Sequence, residues 1–135
     1  MNTIGYLRES KTAYGFQSYE NMQLWQKGIT VVNDVYSICE LMPTSEGYTL
    51  RSKIKKAAIT IPSNIFKGWT RKSNNELYNH LTKASNSVTE IITQLQAINN
   101  LYKIDSNVVK SECQDLTNII NAFLLHIEAE QQNKK

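Results

Sequence analysis

The chain has 135 residues, 41% of them hydrophobic and 20% charged, with 5 Gly and 2 Pro. That is the size and make-up of one domain with its own core, and it excludes collagen-like, proline-rich and highly charged disordered classes. The net charge is only +3, yet it is unevenly spread: residues 51–75 hold seven basic residues and no acidic one, whereas the remainder holds eight basic and twelve acidic residues. Cys39 and Cys113 form no CxxC pair and have no His at ligand spacing, which excludes a disulfide scaffold and predicts reduced core thiols. No apolar run approaches the ~18 residues of a membrane span. The start, MNTIGYLRESKTAYG, has no apolar signal-peptide region, so the expected compartment is the cytoplasm.

Residues 1–18 lack sustained periodicity and are expected to form an arm that is flexible or docks on a neighbour. From about Tyr19, Met22, Trp25, Ile29, Val32, Tyr36 and Cys39 recur at steps of three and four, predicting a first helix to about Leu41 with these residues at its core face or core edge. Pro43 and Gly47 break the chain, and Thr44 or Ser45 is available to cap the next helix. In the second helix Leu50, Ile54, Ala57, Ala58, Ile61 and Ile65 share one arc. Pro62 falls inside that pattern and cannot donate to the Ala58 carbonyl, so a kink is expected there and not an end. Gly68 and residues 70–75 stop the helix.

Ser73 and Glu76 have capping-box spacing at the start of a third helix, whose face is Leu77, Leu81, Ala84, Val88, Ile91, Leu95, Ile98 and Tyr102. Asp105 or Ser106 can cap a fourth, with Val109, Cys113, Leu116, Ile120, Phe123 and Ile127 on its apolar side. Beyond it a polar, fraying tail is expected from Glu128, with the domain spanning residues 19–131 and the last residues 132–135 outside it. Four amphipathic helices on short connections predict an all-α, antiparallel up-down-up-down four-helix bundle.

Neither a nucleophile–base pair nor converging metal ligands occur: His80 and His126 lie far apart, and the Glu-x-x-His repeats of di-iron bundles are missing. No catalytic residue, metal or cofactor is expected, and both histidines are expected at the surface or its boundary. The basic segment is the one functional signal. Arg51, Lys53, Lys55, Lys56, Lys67, Arg71 and Lys72 are candidates to bind RNA or DNA with little sequence specificity, with Tyr48 and Trp69 placed to stack on unpaired bases. An ordinary solvated helix face and an anionic protein partner are the alternatives. A second apolar stripe, Ile59, Pro62, Phe66 and Trp69, either contacts another subunit or packs under the N-terminal arm.

LWQKG at 24–28, MPTSEGYTLRSKIKKAAITIPSNIFKGWTRKSNNEL at 42–77 and ASNSVTEIITQL at 84–95 together resemble the signatures of the four-helix bundle proteins encoded in intervening sequences of bacterial 23S ribosomal RNA genes. The chain departs from that pattern at Lys55 and Lys56, where Arg is preferred, at Asn86, where Gly is, and at Lys67, where an acidic residue is, and this last change raises its local basicity. The resemblance implies a homo-oligomer, typically a ring-like pentamer, with nucleic acid as a partner. It also implies an alternative role as an accessory module for a neighbouring enzyme, such as the reverse transcriptase of diversity-generating retroelements.

Overall fold

The computed structural model describes residues 19–44, 48–71 and 73–133. They form four helices, α1 (Tyr19–Glu40), α2 (Tyr48–Trp69), α3 (Asn74–Tyr102) and α4 (Asn107–Asn133), with no strand among the described residues. The arm expected at residues 1–18 lies outside them, as do Ser45 and Lys72. None of the helices is long and apolar enough to cross a membrane.

Contacts between neighbouring helices set their direction. On α1 and α2, Gly28 meets Ile61 and Pro62 while Tyr36 meets Lys55. On α2 and α3, Thr60 meets Ser87, Asn64 meets His80 and Gly68 meets Leu77. On α3 and α4, Asn74 bonds Glu130, Tyr78 bonds Glu128 and Lys110 bonds Gln96. In each pair one number rises as the other falls, so consecutive helices run antiparallel, as short connections demand. α4 returns against α1, where Glu112 lies beside Asp34.

The core is a continuous apolar column in which Ile54, Ile61 and Ile65 of α2, Leu77, Leu81, Ile91 and Leu95 of α3, and Cys113 and Ile120 of α4 are fully enclosed. Those positions follow the expected arcs. α1 differs: Leu24, Val31, Val35 and Ile38 are buried, whereas Met22, Trp25 and Val32 only edge the core and Tyr36 is exposed. α1 carries two apolar stripes one position apart, and periodicity cannot rank them. Packing does, because Gly28 faces α2. A Cβ on Gly28 would stand 3.3 Å from Ile61 Cγ2 and 3.4 Å from the Pro62 nitrogen, so the two backbones come close where no side chain intervenes.

α2 runs unbroken through Pro62, which is buried against α1. Its last turn is equally tight, for a Cβ on Gly68 would lie 3.0 Å from Leu77 Cδ1 and 3.2 Å from His80 Cβ. The Ser73 hydroxyl caps α3 by accepting the Glu76 amide at 3.1 Å. At the other end of α3, Lys103 adopts the left-handed conformation at φ 58°, with its amide on the Asn99 carbonyl at 2.9 Å. The Asp105 carboxylate receives the Asn107 amide at 2.9 Å, and the neighbouring Ser106 begins the helix through its backbone, its carbonyl taking the Lys110 amide. α4 outlasts the tail expected from Glu128, because Glu128, Glu130 and Gln131 bond Tyr78, Asn74 and Asn75 at the start of α3. Both cysteines are buried and reduced, and enclosure pushes the Cys113 thiol up to about 12.

The α1–α4 seam holds a feature absent from the sequence-based expectations. Burial, then the hydrogen bond and negative charge of Asp34, push the Glu112 carboxyl from 4.5 up to about 7, against the opposing charge of Lys27. The folded protein therefore keeps a proton on this pair that the unfolded chain loses. The contribution to stability is fully present below pH 4.5 and is lost as pH rises through about 7. Urea unfolding midpoints should fall across that window, and Glu112→Gln, which keeps a neutral hydrogen-bonding group, should flatten the fall.

Candidate nucleic-acid interface

The helical turn divides the basic segment. Arg51 points back along the chain and donates to the Pro43 carbonyl at 3.2 Å and the Thr44 carbonyl at 2.8 Å, tying the α1–α2 connection to α2. Lys55 leans the other way and sets its ammonium 4.7 Å from the centre of the Tyr36 ring, a cation–π contact across α1 and α2. Both side chains lean away from the α2–α3 side, where the other cations of the segment gather.

Lys53, Lys56 and Lys67 lie exposed on α2, and Arg71 lies exposed just beyond its end. Lys53 and Lys56 line a depression of about 350 Å³ on the α2–α3 side, together with Ala57, Thr60, Ser87 and Glu90. Further along, burial and the positive charges of Lys83, Arg71 and Lys67, in that order, hold the His80 imidazole below its ordinary 6.5, with Glu76 opposing them. The groove between α2 and α3 thus collects Lys53, Lys56, Lys67, Arg71 and Lys83, spread over ~27 Å at 1.5 Å per residue from position 53 to 71.

Lys83 belongs to no charge run in the sequence. It joins the site because α3 packs antiparallel beside α2, and only that register could have revealed it. The floor of the groove is polar: Thr60 and Ser87 hydroxyls lie 2.6 Å apart, and Asn64 Oδ1 lies 2.9 Å from His80 Nδ1.

Two expectations need correction. Trp69 is 1% exposed and sits edge-on to Phe123 at 5.1 Å, so it cannot stack on a base; Tyr48, 71% exposed, can. Pro62 and Trp69 also leave the second apolar stripe, because Pro62 is buried against α1 and Trp69 in the core. What remains of it outward is Ile59, 48% exposed, and half-buried Phe66. The register that matches Gly28 with Pro62 and Tyr36 with Lys55 brings the α1 edge residue Val32 level with Ile59, so the α1–α2 flank is apolar where the α2–α3 flank is basic. His80 and His126 are both partly exposed, His126 lying 3.4 Å from Glu130. No group of three or more metal-ligating side chains occurs among the described residues.

An all-α bundle with α2 shared between an apolar and a basic flank defines the class of protein. Its family is given by the sequence of that bundle: the model of the 23S rRNA-intervening sequence proteins matches residues 20–123, and the chain belongs to this family. A search of curated proteins finds no match.

The charge arrangement around His80 is directly measurable. Lys83→Gln removes the largest of the repelling charges and should raise the His80 pKa, followed by NMR titration of the imidazole protons, whereas Glu76→Gln should lower it further.

Proposed function

We propose that this protein is a non-catalytic, oligomeric nucleic-acid-binding bundle whose contact surface is the groove between α2 and α3. The observation that carries the reading is the convergence of Lys53, Lys56, Lys67, Arg71 and Lys83 from two helices along one groove. Cations in such a row attract a phosphate backbone without reading sequence, and binding releases condensed counterions. Base-edge readout is not part of the proposal, since no helix presents an Arg, Asn and Gln cluster to a major groove.

Five engaged cations give a slope of about −4.5 in log affinity against log salt on duplex DNA, with dissociation constants of about micromolar or weaker near physiological salt. Fluorescence anisotropy with labelled duplexes between low and moderate salt tests this. Replacing Lys56, Lys67 and Lys83 together by Gln should cut the slope to about −2, while Lys55→Gln, on the opposite flank, changes it little. Polyanion binding should also raise the His80 pKa by screening the cations around it. Absence of binding at low salt would move the function to a protein-interaction role, as an accessory module to a neighbouring enzyme.

Oligomerisation completes the proposal. Ile59 lies exposed on the apolar α1–α2 flank, on the same helix that supplies the groove, so a ring, a pentamer by family resemblance, would set several grooves side by side and sum their affinities. Light scattering at tens of micromolar should return a multiple of the 15.5 kDa chain, and Ile59→Glu should reduce it to smaller species. A mass of one chain for the unaltered protein sinks this part.

A further inference from the structure

The floor of the basic groove has a polarity of its own. A carbonyl can only accept, which settles the direction of every bond in the two short chains that form it. In the first, the Thr60 hydroxyl donates to the Ala57 carbonyl at 2.6 Å, so the Thr60–Ser87 contact must be Ser87 donating to Thr60. In the second, Asn64 Nδ2 donates to the Thr60 carbonyl at 2.9 Å, so Asn64 Oδ1 faces His80 and takes the Nδ1 proton. With that proton on Nδ1, the neutral ring keeps Nε2 as an acceptor. Both chains run from α2 to α3 and end there with a lone pair: Ser87 Oγ in one, His80 Nε2 in the other.

Residues 80 and 87 are two turns apart on one face of α3, ~10.5 Å along the axis, and both are partly exposed. On one side of them lie Lys53 and Lys56, with Glu90, whose carboxylate is engaged by Gln94 at 3.2 Å. On the other lie Lys67 and Arg71, with Glu76 near the ring, while Lys83 stands on α3 between the two positions. The groove therefore asks for a ligand that is anionic at its margins and offers hydrogen-bond donors between them. A DNA backbone supplies phosphates and acceptor oxygens only. An RNA duplex adds a hydroxyl at every ribose, displayed across a wide and shallow minor groove that side chains can reach.

We infer that the groove selects RNA over DNA, with Ser87 Oγ and His80 Nε2 accepting hydrogen bonds from ribose 2′-hydroxyls while the lysines and Arg71 hold the flanking phosphates. This rests on the α2–α3 groove being the nucleic-acid surface, and the test separates the two. Anisotropy titrations at one fixed salt concentration compare three duplexes of the same sequence: RNA, DNA and 2′-O-methyl RNA, the last having the methyl ether in place of the hydroxyl donor on an A-form backbone.

The expected result is RNA binding about five- to tenfold tighter than either of the others, the scale of one or two neutral hydrogen bonds. His80→Asn keeps an amide that can reach Asn64 but has no counterpart of Nε2, and Ser87→Ala removes the other acceptor. Each should weaken RNA binding more than DNA binding, so that the RNA-to-DNA affinity ratio falls toward one. Equal affinity for RNA and 2′-O-methyl RNA, both above DNA, would assign selectivity to helix shape and overturn the inference. Equal affinity for all three would overturn it while leaving the groove as the binding surface. No binding by any duplex removes the surface itself and the inference with it. Because the methyl-ether comparison uses the unaltered protein, it decides the matter even if a variant fails to fold.

Discussion

The rest of the molecule depends on how closely α2 is gripped by its two neighbours. At Gly28 the α1 backbone comes against Ile61 and the backbone of Pro62, and at Gly68 the α2 backbone comes against Leu77 and His80 of α3. Each approach removes the space a side chain would occupy, and each fixes the register of a helix pair. With both registers set, α2 has little freedom to rotate, and the side chains on its flanks are committed to separate surfaces. Gly68 also places His80 beside the end of α2, where Lys67 and Arg71 reach it.

The same registers divide the charge. Arg51 is spent on two carbonyls of the preceding connection and Lys55 on the Tyr36 ring, interactions that serve the bundle. Lys53, Lys56 and Lys67 turn toward the other neighbour and are joined by Lys83. A run of like charge on one helix is thereby sorted into structural cations and groove cations by a rotation of about 100° per residue. The polar floor beneath the groove also stabilises the α2–α3 contact, because hydroxyl, amide and imidazole groups there satisfy one another across the two helices. The α1–α4 seam is organised on a different principle: burial and the neighbouring Asp34 raise the Glu112 carboxyl, so cohesion there depends on pH.

Much of this was legible in the residue pattern. Helix number, the breaks at Pro43 and Asp105, the Ser73 cap and the core faces of α2, α3 and α4 all come from periodicity and capping chemistry, which are local properties of the chain. The failures share one cause. Met22, Trp25, Ile29, Val32, Tyr36 and Cys39 make as good a stripe as Leu24, Val31, Val35 and Ile38, and only the partner helix decides that the second is buried and, of the first, Cys39. Trp69 looks like a surface aromatic at the end of a basic helix until Phe123 of α4 closes over it. Glu128 and Glu130 look like a frayed end until the start of α3 supplies Tyr78 and Asn74.

By itself, the sequence determined an all-α bundle, the identity of its helices, the concentration of positive charge on the second of them, and the family to which the chain belongs. Tertiary structure alone decided which of two apolar stripes on α1 is core, that Pro62 and Trp69 are interior, that Lys83 joins the basic groove, and that His80 and Ser87 meet Asn64 and Thr60 on its floor. The physical reason is the range of the interactions. Helix formation and amphipathicity are set by residues three and four apart, whereas a groove between helices is made by side chains 16 to 27 positions apart in the chain, brought together only when glycine lets two backbones approach.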